Sequence, residues 1–242
     1  MVLHIFENKE LLSDNLAEWI CNQAKATLQL RQYFSIVLSG GSTPKILYKK
    51  LASGKYKNQV DWKRVYVFWG DERVVPFDDE RNNAKMAFDT LLNHVDLPKE
   101  QIHIMRTDVE PNLAAKEYAE LLQTFFDNKD FTFDLVLLGM GDDGHTLSLF
   151  PHSLILQDQS EPVKAVYNEQ QEMYRITLMP GIVNKSREIA FMVDGEKKAA
   201  TLQKVLEGPY QPSVFPSQLI SPQKGELHWF LDKEAAKDLK QD

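Results

Sequence analysis

FTFDLVLLGMGDDGHTLSLFP, Phe131 to Pro151, is the stretch on which the reading of this chain turns. Phe133 to Leu138 is an apolar run of strand length, and Gly139 closes it. Gly139, Gly141 and Gly144 are then interleaved with Asp142 and Asp143, and His145 follows. Thr146 begins or caps a short helix that Pro151 stops. A strand running through a glycine turn toward a helix N-terminus is where open α/β sheets bind ligands. An imidazole delivered to that crest, two residues after an aspartate, can pass protons near neutral pH. The plainer reading is a connecting turn in which His145 is hydrogen-bonded and inert.

Upstream, Val2 to Phe6 alternates as a strand, and Asn8 to Arg31 carries apolar residues at helical spacing. Ser35 to Leu38 is a short strand leading into Ser39-Gly40-Gly41-Ser42-Thr43-Pro44, with a helix from Lys45 to Leu51 capped by Thr43 or Ser42. Gly40, Gly41, Ser42 and Thr43 have the makings of a phosphate cradle: open backbone, hydroxyls and a helix N-terminus. They equally suit a plain strand-to-helix turn. This loop fits neither GxxxxGK[ST], whose lysine it lacks, nor GxGxxG. Arg64 to Trp69 is the next buried strand, ending in Gly70-Asp71-Glu72-Arg73, which is either a functional crest or a solvated turn with internal ion pairs.

Arg81 to Asn93 reads as helical, Ile102 to Ile104 as a strand, and Glu110 to Asp127 as an amphipathic helix. Beyond the opening stretch, Ser153 to Tyr174 reads as an irregular surface excursion and Arg175 to Leu178 as a strand. Pro180-Gly181 introduces a short helix or turn, and Glu188 to Val193 is a further strand. A helix over Glu196 to Glu207 carries Lys197 and Lys198 in its first turn, where they oppose the macrodipole unless an anion binds or they reach into water. Gly208 to Pro222 is a long loop, Leu227 to Leu231 a strand, and Asp232 to Leu239 a terminal helix. Strands alternating with helices predict an α/β fold, a mostly parallel doubly wound sheet with helices on both faces, as one domain over residues 1–242. Right-handed crossovers put the loops after Leu38, Trp69, Leu138 and Val193 along one edge.

A net charge of −7 gives nucleic-acid binding no support, so any anionic ligand needs a local basic cluster. The single cysteine, Cys21, excludes a disulfide framework and a cysteine metal site. MVLHIFENKE has neither a basic nor an apolar leader region, and no run reaches membrane-spanning length. The expectation is a cytoplasmic protein without a membrane partner. Oligomeric state is not legible.

The ordered set SGGSTP (Ser39–Pro44), WGDERVVP (Trp69–Pro76), GMGDDGHTLSLFP (Gly139–Pro151), RITL (Arg175–Leu178), VDGEKKA (Val193–Ala199) and WFLD (Trp229–Asp232) resembles the 6-phosphogluconolactonase family. The resemblance implies the fold of glucosamine-6-phosphate deaminases and ribose-5-phosphate isomerases. It implies hydrolysis of a sugar-phosphate lactone, 6-phosphoglucono-δ-lactone, with no metal and no organic cofactor. It places the catalytic histidine at His145. Lactone hydrolysis needs a base for water, donors for the oxyanion and an acid for the ring oxygen. On that chemistry His145 is base and later proton donor, and Asp143 orients the imidazole or the water. Arg73 sits near the carbonyl or helps hold the substrate. Gly40, Gly41, Ser42 and Thr43, with Asp71, Arg175 and Lys198, line the substrate and phosphate site. The rival readings are an amino-sugar phosphate deaminase or isomerase, and a non-catalytic sugar-phosphate sensor of the same fold. Deaminases of this kind carry a glutamate immediately before the proline that follows the histidine motif; here that position is Phe150.

Overall fold

Runs in which every side chain is apolar and buried belong to the middle of a parallel sheet covered on both faces. Phe34–Leu38 is such a run, apart from Ser35, whose hydroxyl is hydrogen-bonded to Asp134. The computed structural model describes residues 1–127, 132–158 and 160–240; Phe131, which opens the key stretch, lies outside the described residues. In chain order the elements are β1 (Val2–Phe6), α1 (Lys9–Leu30), β2 (Phe34–Leu38), α2 (Ser42–Leu51), β3 (Val65–Trp69), β4 (Asp71–Arg73), α3 (Asn83–Thr90) and α4 (Pro111–Phe126). There follow β5 (Leu135–Gly139), β6 (Val163–Asn168), β7 (Met173–Leu178), α5 (Pro180–Val183), β8 (Glu188–Val193), α6 (Ala199–Glu207), β9 (Glu226–Asp232) and α7 (Lys233–Ala236). Local chemistry sets the helix starts. The Asn8 side chain accepts from the Glu10 and Leu11 amides ahead of α1, and Glu110 caps α4, whose first residue is proline.

Six strands form a parallel sheet in the order β1-β9-β8-β5-β2-β3. From β2 the chain steps outward to β3, then crosses back to β5 on the other side of β2 and continues to β8 and β9. That reversal sets the switch point between β2 and β5, with their C-terminal loops side by side. Both faces are covered. Val65 and Val67 of β3 line one small apolar cavity with Ile20 and Ala24 of α1, while the alternate register turns Phe68 toward Phe125 of α4, ring centres 5.0 Å apart. Among the described residues no helix is long and apolar enough to cross a membrane.

The second sheet, β4-β7-β6, is antiparallel. Gly70 is the corner between the two: its amide donates to Leu38 O at 3.0 Å, and its carbonyl accepts from Leu178 N at 2.8 Å.

Several expectations need correction. Asp71-Glu72-Arg73 is a strand rather than a turn, because its charges find partners inside the protein. The Ser153–Tyr174 segment is not irregular throughout, since β6 forms there as a strand of the second sheet. Ile102–Ile104 is no strand; Ile102 makes a single bridge to Val67. No helix follows Thr146. Its hydroxyl donates to Gly139 O at 2.8 Å, and Leu147 takes a left-handed φ of 56°, which breaks helical geometry. The helix after the SGGST loop starts at Ser42, with Gly41 rather than Thr43 or Ser42 at the N-cap. The helices expected over Arg81–Asn93 and Asp232–Leu239 shorten to α3 and α7, and Glu196–Lys198 is a 3-10 turn leading into α6.

Candidate active site

The loop after β5 is shaped around His145. Asp143 Oδ1 accepts from the His145 backbone amide at 3.1 Å and lies 2.6 Å from its Nδ1. With Nδ1 donating to Asp143, Nε2 keeps its lone pair and can take a proton. Partial burial pushes the Asp143 carboxyl up, but the hydrogen bond and charge of His145 outweigh it and hold the group below the usual carboxylate range. The imidazole is 31% exposed, so water can reach it. Gly141 is required by this arrangement: a Cβ there would lie 2.2 Å from His145 Nδ1. Phe150 closes one side, its ring centre 4.9 Å from that of the imidazole.

Across the switch point stands the N-terminus of α2. Gly41 at its N-cap contributes no side-chain hydrogen bond, which leaves first-turn amides open as donors. Gly41 and Ser42 are exposed, whereas Thr43 is buried and its hydroxyl donates to Asp194 after β8. Gly40 packs against α3, where a Cβ would come within 1.8 Å of the Asn83 side chain. Lys198, half-buried, donates to the carbonyl of Met140 in the histidine loop, while Lys197 is exposed to solvent.

The antiparallel sheet supplies the third wall. Asp71, Arg73 and Arg175 share one face, since Arg73 and Arg175 are in-register neighbours and Asp71 is two residues from Arg73. Arg175 is 5% exposed and lies 3.5 Å from Asp71 Oδ2 through Nη1, with Nη2 donating to Gln171. Its guanidinium carbon is 6.0 Å from the centre of the Phe150 ring, so Phe150 touches both Arg175 and His145. Asp71 also accepts from Ser148 Oγ at 2.7 Å. Arg73 Nη1 donates to Arg81 O at 2.6 Å, while the Nε atoms of Arg73 and Arg175 are buried without a hydrogen-bond partner among the described residues.

The family model for glucosamine-6-phosphate isomerases/6-phosphogluconolactonase matches residues 7–229. The chain belongs to that family. A relative from Nostoc sp., a 6-phosphogluconolactonase, is 39% identical over 240 residues, covering 95% of this chain and 97% of its own. The crystal structure of a 6-phosphogluconolactonase from Thermotoga maritima superposes with a TM-score of 0.83 at 26% identity, covering 96% of this chain and 99% of that one. A monomeric glucosamine-6-phosphate deaminase shares the fold, with a TM-score of 0.84 at 20% identity over 98% of this chain and 100% of that one. In this family member the structure joins the expected residues in two clusters, His145 with Asp143 and Asp71 with Arg175, connected through Phe150.

Sequence reading missed the supports. Asn83 donates to Asp71 O at 2.9 Å and fills the space above Gly40. Asp232 grips the Gly195 amide at 3.0 Å and the Ala235 amide at 2.8 Å, which explains a terminal WFLD in a site motif. Glu72 is fully buried and accepts from the amides of Arg73, Asn83 and Ala84 at 2.7–2.8 Å, tying β4 to the first turn of α3. Only its place between Asp71 and Arg73 in the triplet hinted at this.

Burial pushes the Glu72 carboxyl from 4.5 to about 7; its three amide hydrogen bonds oppose the rise and Asp71 adds to it. Below pH 4.5 the group is neutral in both folded and unfolded chains, and its contribution to stability is complete. As pH climbs to about 7 the unfolded chain ionises first, and about 3 kcal/mol is lost. Urea unfolding of wild type and Glu72→Gln at pH 4.5 and pH 8 checks this. The stability of wild type relative to the variant should fall by about 2–3 kcal/mol over that range. Parallel pH profiles for the two proteins would count against it.

Proposed function

We propose that this chain hydrolyses 6-phospho-D-glucono-1,5-lactone to 6-phospho-D-gluconate, a step of the oxidative pentose phosphate pathway. The observation that carries the reading is the Asp143–His145 pair, with Nδ1 committed and Nε2 available, at the switch-point end of β5. His145 Nε2 takes a proton from water as the water oxygen attacks the lactone carbonyl carbon. The tetrahedral oxyanion collapses, the bond to the ring oxygen breaks, and the imidazolium returns the proton to that oxygen. Asp143 holds the ring and stabilises its cationic form.

The 6-phosphate is assigned to the backbone of Gly40, Gly41, Ser42 and Thr43 and to the exposed Ser42 hydroxyl, together with Lys198 and Arg175; the Thr43 hydroxyl is already committed to Asp194. Arg73 shares its face with Arg175 and is the half-buried one of the two, open enough for its guanidinium to meet the substrate's oxygens. Asp71, which meets Arg175 and accepts from Ser148, has the part of holding both in place at the substrate site.

The deaminase reading asks for a second proton-transfer group near the imidazole. Phe150 occupies that place and can neither accept nor donate a proton. A coupled assay with freshly generated 6-phosphogluconolactone, corrected for spontaneous hydrolysis, is expected to show turnover. The same enzyme should release no ammonia from glucosamine-6-phosphate above background. Ammonia release at a rate comparable to lactone hydrolysis would overturn the proposal.

A further inference from the structure

The parallel sheet has a second cluster of chemically active groups at the end opposite the crest. Glu188 opens β8 and Glu226 opens β9, and the two are in-register neighbours on adjacent strands. His228, two residues after Glu226, falls on the same face, 5% exposed beneath Trp19 of α1, ring centres 4.9 Å apart. Its Nε2 lies 3.0 Å from Glu188 Oε2 and 3.5 Å from Glu226 Oε2. The ligand atoms of all three residues lie within 4.8 Å of one another. Like charges directly opposite each other on neighbouring strands are unfavourable, and the structure sets a single imidazole between these two.

We propose that Glu188, Glu226 and His228 bind a divalent transition-metal ion, with zinc the closest match. Zinc takes imidazole nitrogen and carboxylate oxygen at about 2.0–2.2 Å, which sets tetrahedral ligand-to-ligand edges of about 3.3–3.6 Å. The edges at 3.0 and 3.5 Å are already close to that spacing. The other ring nitrogen of His228, Nδ1, is hydrogen-bonded to His4 Nε2 at 3.1 Å. With Nδ1 as the donor of that contact, Nε2 gives up its hydrogen bond to Glu188 and is left to the ion, and His4 becomes the outer partner that metal-binding histidines have. His4 is itself held, stacked on Phe230 at 4.4 Å between ring centres. The Glu226 side chain is 70% exposed, which gives an ion a path in and leaves a position for water. One imidazole with two carboxylates suits zinc or its first-row neighbours better than calcium or magnesium, which prefer all-oxygen shells.

The test is titration of EDTA-stripped, dialysed full-length protein with Co²⁺, followed by its visible absorption, and then displacement by Zn²⁺ in a calorimeter. One ion per chain is expected. Glu226→Gln, at an exposed position, should weaken binding at least tenfold without changing lactone hydrolysis. His4→Phe, which keeps the stacking and removes the hydrogen bond, should weaken it by roughly 10–100-fold. Zinc should raise the Tm of wild type and not that of Glu226→Gln. The proposal fails if no cobalt spectrum develops. It fails equally if Glu226→Gln and Glu188→Gln bind like wild type, since the ion would then sit elsewhere, for instance on His145 and Asp143.

Discussion

His145→Ala should lower kcat by about 10²–10⁴-fold, the range expected when a positioned general base is removed. The imidazole reaches toward solvent from a loop whose shape is held by other contacts. These include Gly141 N to His145 O at 2.8 Å and the Ser217 hydroxyl to Gly144 O at 2.9 Å, neither of which uses the imidazole. The fold and affinity for 6-phosphogluconate should therefore survive the substitution. Steady-state kinetics on freshly made lactone, with product affinity by calorimetry, measure both. A variant with near-normal turnover would remove His145 from the reaction. Asp143→Asn supplies the companion result: with Nδ1–H no longer facing a carboxylate, the imidazolium loses stabilisation and kcat should drop while product affinity holds.

The second large effect concerns the phosphate. Charge-assisted hydrogen bonds contribute roughly 1.5–3 kcal/mol, so Lys198→Ala should raise KM for the phosphorylated lactone by roughly 10–100-fold. Unphosphorylated gluconolactone, which has nothing for the lysine to hold, should be turned over as by wild type. Equal losses on the two substrates would sink the phosphate assignment. Arg175→Ala should carry the same signature and a further cost. Asp71 would be left as a buried carboxylate without its cation, a type of change that destabilises by about 3–5 kcal/mol. A lowered urea midpoint for Arg175→Ala but not for Lys198→Ala separates the two contributions.

What the amino-acid sequence disclosed about this site depended on the range of each interaction. The Asp143–His145 pair is two residues apart, and β2, β3, β5 and β8 announce themselves as apolar runs, so both were legible. The Asp71–Arg73 strand was not. Its charges are buried by Ser148, Arg175, Asn83 and Ala84, partners between 11 and 104 positions away that no local pattern discloses. β6 was missed because it is the outer strand of a small sheet, with only its first and last residues fully buried. The helix expected at Thr146 failed because that hydroxyl serves a carbonyl seven residues back instead of its own first turn. The roles of Asn83, Asp194 and Asp232 became visible only once the strand order had brought them to one edge.

The strand order also governs when the fold can be completed. β1 pairs with β9, and Val2 stands opposite His228, 226 positions further along the chain. At ribosomal rates of roughly 5–20 residues per second, β1 waits on the order of 10–45 s before its partner has been synthesised. β9 then has to enter between β1 and β8 to give each of them a neighbour. Closing so long a loop is entropically slow. During synthesis Leu3 and Ile5, which stay largely exposed even in the finished sheet, have no strand beside them. The nascent chain therefore carries an unpaired apolar strand for most of its time on the ribosome, and this is where a chaperone would have most to do.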